Sequence, residues 1–245
     1  MQIGFIHGVM NTDNMTISGE TIDYGPCAFM DAYDAATVFS SIDQHGRYAY
    51  GNQPRIAQWN LARLAETLLP LLADQHDKAV GMAEETIQQF PARYARAWRE
   101  GMRRKLGLAS EQPDDADLMH SLCDLMQQHA ADYTNTFRRL CSVAEGGAVP
   151  VGFEAWVGRW QARLRQEAST PQETATLMRA NNPAFIPRNH RVEAALSAAV
   201  NQGDFAPLEV LLTVLSTPFV EQPDYAEYSH PPAPSERVYQ TFCGT

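Results

Sequence analysis

The sequence has few cysteines, no long apolar run and fewer basic than acidic side chains. Its 245 residues include four cysteines, none in a CxxC pair, so neither a disulfide scaffold nor a zinc ribbon is indicated. No apolar segment approaches the roughly 20 residues of a membrane-spanning helix, and residues 1–7 lack the features of a signal peptide. The 19 Lys and Arg against 29 Asp and Glu give a net charge of −10, which argues against general binding of nucleic acid. We therefore expect a cytoplasmic protein with neither a membrane nor a nucleic acid as partner.

The chain changes character near residue 54. Residues 1–54 are rich in Gly, Asp, Asn and Thr, and two short β-prone runs within residues 15–22 predict a small hairpin. Apolar residues then recur at helical spacing over residues 55–217, which predicts a series of helices. Residues 218–245 contain five prolines and predict an extended tail. The expected fold is one mainly α domain with a small β-hairpin.

Prolines and aromatic residues refine the helical region. Pro70 is expected to end or kink its helix, and Pro91 to kink or divide the next. Between Leu118 and Glu145 the pattern predicts one continuous helix. Tryptophans at apolar helical positions are predicted to lie in the core, namely Trp59, Trp98, Trp156 and Trp160.

The residues with the clearest chemical potential lie near the start of the chain. A Gly-containing loop, residues 7–14 (HGVMNTDN), ends in adjacent Asp13 and Asn14, and Asp23 follows after the predicted hairpin. Phosphoryl and nucleotidyl transfer need a carboxylate to deprotonate or orient the nucleophile, and oxygen ligands for a divalent cation. Asp13 suits the base, while Asn14 and Asp23 suit the Mg²⁺ ligands. A hairpin between them would return the chain to its starting level and bring the three together.

Comparison with the protein-kinase signature supports this interpretation. His7 and Asn14 keep the His-to-Asn offset of the kinase catalytic loop, and residues 23–25 (DYG) resemble its metal-binding Asp-Phe-Gly. Val9 stands where the kinase base would be, so Asp13 is the only carboxylate in the loop able to replace it. Because Asp and Asn are also common turn formers, a pair of structural turns is the alternative interpretation.

Longer motifs make the resemblance specific. The chain resembles the selenoprotein O (SelO/YdiU) family along essentially its whole length, most densely in the first 65 residues. The matching segments are residues 7–15, 22–26, 29–31, 43–48, 51–54, 59–64, 181–183 and 187–190, together with Cys243 near the C-terminus.

The resemblance implies an atypical protein-kinase fold that transfers AMP, rather than phosphate, from ATP to Ser, Thr or Tyr hydroxyls of protein substrates. By position, Asp13 matches the proton acceptor of the family, and Asn14 and Asp23 match its Mg²⁺ (or Mn²⁺) ligands, with Asp23 also near the ATP phosphates. The near-terminal cysteine implies redox regulation, for which Cys27 is a candidate partner of Cys243.

Family members carry a nucleotide-binding lobe before this segment, with a Gly-rich loop and a phosphate-contacting Lys, whereas six residues precede His7 here. The expectation is therefore a kinase-like C-lobe with a helical extension, with the N-lobe missing and with weak or no activity by itself. Two alternatives stay open. One is a kinase-like phosphotransferase. The other is a non-catalytic interaction module or fragment, for instance one that pairs with a separate N-lobe chain.

Overall fold

The computed structural model describes residues 1–242, in which helices predominate. Two short strands, β1 (Phe5–Ile6) and β2 (Ala28–Phe29), pair in an antiparallel sheet. The α-helices are α1 (Gln53–Leu72), α2 (His76–Gln88), α3 (Phe90–Lys105), α4 (Asp115–Gln128), α5 (Tyr133–Ala144), α6 (Glu154–Leu164), α7 (Pro171–Asn181), α8 (Asn189–Gln202) and α9 (Ala206–Leu215). Short 3₁₀ turns cover Thr12–Asn14, Tyr50–Asn52 and Pro223–Ser229. The prediction of a mainly helical chain with a small β element is confirmed.

The position of the hairpin was predicted wrongly. Residues 15–22 form a turn without strands, in which Gly19 N donates to Thr16 O at 3.2 Å and Thr16 Oγ1 donates to Glu20 O at 2.7 Å. Ile17 is 89% exposed, so this segment has no apolar face with which to stabilise a strand pair. The two strands that do pair lie on either side of the segment instead.

Helix boundaries follow the sequence signals in most places. The division at Pro91 is confirmed, since α2 ends at Gln88 and α3 begins at Phe90. Pro70 lies in the last turn of α1, which ends two residues later at Leu72.

The continuous helix predicted between Leu118 and Glu145 is wrong, because α4 and α5 are separate. Ala130 takes the left-handed conformation (φ 46°), which interrupts helical hydrogen bonding. The Asp132 carboxylate then accepts from Asn135 N at 2.8 Å and caps α5.

The described chain divides into two compact units. One consists of Met1–Gly4, Phe29–Asp34 and Arg99–Tyr239, and it contains α4 to α9. Its fully buried side chains include Met102, Leu106, Leu122, Met126, Phe137, Leu140 and Trp160. The other consists of Phe5–Ala28, Ala35–Trp98 and residues 240–242, and within it α1 packs on α2. The segments predicted from the sequence, residues 1–54, 55–217 and 218–245, stay a prediction.

The tryptophans divide between core and surface. Trp156 and Trp160 are buried, and their indole N–H groups donate to Leu118 O and Leu106 O, each at 2.9 Å. For Trp59 the prediction of a core position is wrong, because this side chain is 42% exposed. Among residues 1–242, none of the helices combines the length and the apolar character that crossing a membrane requires.

Candidate active site

The strand pair brings the two chemically important segments side by side. β1 ends at Ile6, directly before the loop of residues 7–14, and β2 begins at Ala28, directly after residues 23–27. In an antiparallel pair the end of one strand lies beside the start of the other. The strand pair therefore encloses the candidate site. The sequence had suggested instead a hairpin between the Asp13–Asn14 loop and Asp23.

Backbone contact between Gly8 and Pro26 confirms that the segments are adjacent. Gly8 has a φ of +87°, and a Cβ placed on it would lie 2.6 Å from Pro26 O and 3.1 Å from Pro26 Cγ. Both the left-handed conformation and this close approach require glycine. The loop that carries Asp13 thus begins against the segment that carries Asp23.

Two buried polar side chains of α1 hold the loop in place. Gln53 Oε1 accepts from His7 N and Gln53 Nε2 donates to Phe5 O, both at 3.0 Å. About two turns further along the same face of the helix, Asn60 Nδ2 donates to Met10 O at 3.0 Å. Neither residue is predicted from the sequence to have a role. The available signal was a pair of amides seven residues apart, which places them on one face of a helix.

Asp13 and Asn14 share the 3₁₀ turn Thr12–Asn14 at the end of the loop. Asn14 N donates to Asn11 O at 3.1 Å, and Asn14 Nδ2 donates to Val9 O at 2.9 Å. The amide of Asn14 is thereby oriented, and its Oδ1 remains available as a ligand oxygen. Asp13 is exposed, so its carboxylate is accessible from solvent.

Asp23 lies in a turn of its own. Its Oδ1 accepts from Gly25 N at 3.2 Å, which fixes the side chain and leaves Oδ2 available. Asn14 Oδ1 and Asp23 Oδ2 are hard oxygen donors of the kind that Mg²⁺ prefers. Residues 1–242 contain no group of three or more His, Cys, Asp or Glu side chains suited to hold a metal ion. A cation here would complete its coordination with phosphate oxygens and water, as Mg²⁺ commonly does.

Cys27 follows the Asp23 turn and is half-buried. Its thiol donates to Tyr24 O at 3.4 Å, and burial, aided by the nearby Asp23 carboxylate, raises the pKa of the thiol. Less of the reactive thiolate is therefore present at neutral pH. Cys243 lies outside the described residues, so a regulatory disulfide stays a prediction.

Thr241, near the end of the described chain, contacts the same turn. Its Oγ1 donates to Pro26 O at 2.6 Å, and its backbone N donates to Phe39 O at 2.7 Å. Ser41 N donates in turn to Thr241 O at 3.1 Å. The carbonyl group that faces Gly8 is thus also fixed by the tail.

In the other unit, residues 187–190 secure the chain at the end of β2. Asn189 Oδ1 accepts from Phe29 N at 3.0 Å and its Nδ2 donates to Phe29 O at 2.7 Å. The fully buried Arg188 donates to Asp31 Oδ1 at 2.7 Å and to both oxygens of Asp132 at 2.6 and 3.1 Å. These contacts give a structural reason for a motif to which the sequence alone assigned no role.

Comparison with known proteins identifies the family of the chain. The family model described as "Protein adenylyltransferase SelO" matches residues 1–216. Curated relatives named "Protein nucleotidyltransferase YdiU" include those of Rhizobium etli (strain CIAT 652), 57% identical over 100% of the chain, and Alkaliphilus metalliredigens, 57% identical over 99%. The relative of Geobacillus kaustophilus is 56% identical over 99% of the chain. The matches cover 50–51% of these proteins, so the chain spans about half the length of the curated relatives it matches.

Sequence similarity places the chain in a family whose members are named protein nucleotidyltransferases. It belongs to the SelO family of protein adenylyltransferases.

Proposed function

We propose that the chain is the catalytic and metal-binding half of a protein adenylyltransferase, which transfers AMP from ATP to Ser, Thr or Tyr hydroxyls of protein substrates. The observation that carries the proposal is the backbone contact of Gly8 with Pro26, which sets the Asp13–Asn14 turn and the Asp23 turn in neighbouring segments. Membership of the SelO family supports it. The corresponding fold would be a kinase-like C-lobe with a helical extension.

In this mechanism Asp13 is the general base. Its exposed carboxylate accepts the proton of the substrate hydroxyl as the hydroxyl oxygen attacks the α-phosphorus of ATP. The bond from that phosphorus to the bridging oxygen of the β-phosphate breaks, and pyrophosphate leaves with the electron pair. The products are an AMP–protein phosphodiester and pyrophosphate.

Asn14 and Asp23 would hold the divalent cation, since Asn14 Oδ1 and Asp23 Oδ2 are the oxygens that their own hydrogen bonds leave available. When bound, Mg²⁺ or Mn²⁺ neutralises phosphate charge and polarises the phosphoryl oxygens. The anchoring of the loop by Gln53 and Asn60 restricts its movement, so that the base and the ligands stay in one geometry.

The other half of the relatives' length is proposed to supply the nucleotide-binding groups, from the same polypeptide or from a separate chain. The 245-residue chain by itself is then expected to bind ATP poorly and to transfer little AMP. Titration with a fluorescent ATP analogue, with and without the N-terminal half of the Rhizobium etli relative, measures this. Strong ATP binding by the chain alone would contradict the expectation.

Labelled ATP distinguishes the proposed reaction from a kinase reaction. The chain, reconstituted with that N-terminal half, is incubated with a protein substrate and ATP labelled at either the α- or the γ-phosphate. AMP transfer leaves only the α label on the protein product. Retention of the γ label would show a phosphotransferase. Retention of neither label, with ATP binding intact, would favour a non-catalytic module.

A further inference from the structure

A groove with cationic and aromatic walls lies beside the catalytic loop, in the same unit as Asp13. It has a volume of about 620 Å³ and is formed by residues 42–59. We call it the Arg47 groove, after its central side chain. The side chains that matter for its chemistry are Ile42, Asp43, His45, Arg47, Arg55 and Trp59.

Arg47 is held in a defined position. Its guanidinium carbon lies 4.8 Å from the ring centroid of Trp59 and 5.6 Å from that of Tyr48. The two carboxylate oxygens of Asp43 accept from Arg47 N and Tyr48 N, both at 2.8 Å, which fixes the turn that carries the arginine. A cation ordered in this way loses little conformational entropy when a ligand binds.

The charges of the groove are unbalanced. Within the described residues neither Arg47 nor Arg55 forms an ion pair with a carboxylate, and both are exposed. Asp43 is the acidic residue of the lining, and its one negative charge stands against the two positive charges of Arg47 and Arg55. The groove is therefore locally cationic in a chain of net charge −10.

A second groove of the same unit, between α1 and α2, shows the contrast. Its lining includes Arg63, Glu66 and Glu84, and Arg63 is paired with Glu66 at 2.6 Å. Free positive charge is thus a property of the Arg47 groove and not of this second groove.

The Arg47 groove is connected directly to the catalytic loop. Tyr48, part of its lining, donates its hydroxyl to Asn11 Oδ1 at 2.6 Å, two residues before Asp13. A peptide lying in the groove would have its neighbouring residues close to the proposed base. Trp59 and Ile42, 42% and 72% exposed, offer apolar contact beside the two arginines.

We infer that the Arg47 groove binds an acidic segment of the protein substrate and thereby presents a nearby hydroxyl to Asp13. The inference rests on the proposed function, since it concerns the protein substrate of that reaction. Arg47 and Arg55 contact the carboxylates of the segment, and Trp59 and Ile42 pack against its apolar side chains. This would select substrates by the charge around the modified residue.

The test measures the binding of a peptide without ATP, so it does not depend on any transfer reaction. A short fluorescein-labelled peptide with one tyrosine and several glutamates is compared by fluorescence anisotropy with the same peptide carrying glutamines instead. At low salt the full chain is expected to bind the glutamate peptide about tenfold more tightly than the glutamine peptide. Each exposed ion pair contributes only a small part of this difference, so a few of them together account for it. High salt is expected to remove the difference, because it screens exposed charges.

Charge-reversal variants locate the binding. Arg47→Glu and Arg55→Glu are each expected to weaken binding of the glutamate peptide several-fold. Arg96→Glu, the same change at an exposed position of α3, is expected to leave it unchanged. Circular dichroism checks that all three variants keep their helical content.

Several results would overturn the inference. Two of them concern the parent chain: equal binding of the glutamate and glutamine peptides, or no binding of either. A third is a loss of binding in Arg96→Glu equal to that in Arg47→Glu and Arg55→Glu. The fourth is displacement of the glutamate peptide by inorganic phosphate at similar concentration, which would indicate a general anion site. Because these are binding results, AMP transfer to protein observed alongside any of them would leave the proposed function standing. Conversely, selective peptide binding, with no AMP transfer by the chain reconstituted with the N-terminal half of the Rhizobium etli relative, would count against the proposed function alone.

Discussion

The backbone of Gly8 contacts the carbonyl group of Pro26 so closely that a Cβ on Gly8 would lie 2.6 Å from that oxygen. The same oxygen accepts a hydrogen bond from Thr241 Oγ1, so it cannot easily move away. This contact joins the loop that ends in Asp13 and Asn14 to the turn that contains Asp23. The candidate site therefore depends on this backbone contact.

Gly8→Ala is expected to destabilise the protein clearly. The left-handed backbone alone costs about 1–2 kcal/mol for a residue with a Cβ, and the contact with Pro26 adds to this cost. Gly19→Ala is the matched control, because Gly19 also has a positive φ (+77°) but no atom within 4 Å of the added Cβ. Urea denaturation gives the free energy of unfolding of both variants. Equal losses would mean that the Pro26 contact has no effect of its own.

Asn60→Ala is expected to loosen the loop of residues 7–14. The substitution removes the donor to the half-buried Met10 O, and the loss of such a hydrogen bond costs about 0.5–1.5 kcal/mol. Hydrogen exchange of residues 7–14 should become faster as the loop detaches from α1.

Gln58→Ala is the control for Asn60→Ala. Gln58 lies on the same helix, but it donates to Ile87 O at 3.3 Å and does not hold the loop. The role assigned to Asn60 fails if hydrogen exchange over residues 7–14 is the same in both variants.

Lys105 is expected to make stability depend on pH. Its ammonium group is buried beside Phe137, at 4.0 Å from the ring centroid, and burial lowers its pKa from 10.5 to about 7. Between these two values the unfolded chain binds a proton that the folded protein does not. The free energy of unfolding therefore rises with pH in this range, by at most about 1.4 kcal/mol per pH unit.

Lys105→Met is expected to be more stable than the parent chain at pH 7 and below, where the parent carries the full cost of a buried charge. This advantage should shrink as the pH approaches 10. Lys78→Met, at an exposed position of α2, serves as the control with no such trend. Urea denaturation across this pH range measures the differences in the free energy of unfolding. A stability advantage for Lys105→Met that does not change with pH would refute the lowered pKa of Lys105.

Periodicity and helix signals predicted much of the fold. The division at Pro91 and the series of helices within residues 55–217 follow from the local sequence. The break between α4 and α5 does not, because it depends on a left-handed Ala130 and on an Asp132 cap, neither of which changes the apolar pattern. The strands β1 and β2 have two residues each, too few for an alternating pattern.

The candidate site was predictable in part. Asp13, Asn14 and Asp23 stand out because carboxylate and amide side chains concentrate near the start of the chain. Gln53 and Asn60 do not, since a buried amide in an amphipathic helix looks like any polar position until its backbone partner is known. Trp59 was predicted for the core because it occupies an apolar helical position, and the stacking of Arg47 on its exposed ring cannot be read from spacing.

The role of Asp13 is the central claim, and AMP incorporation from α-labelled ATP tests it most directly. The chain is reconstituted with the N-terminal half of the Rhizobium etli relative, and Asp13→Asn is compared with Asp74→Asn, a change at an exposed carboxylate two residues after the end of α1. Loss of a general base should lower kcat by about 10²–10⁴-fold with ATP binding unchanged, whereas Asp74→Asn should match the parent. Undiminished AMP transfer by Asp13→Asn would contradict the account.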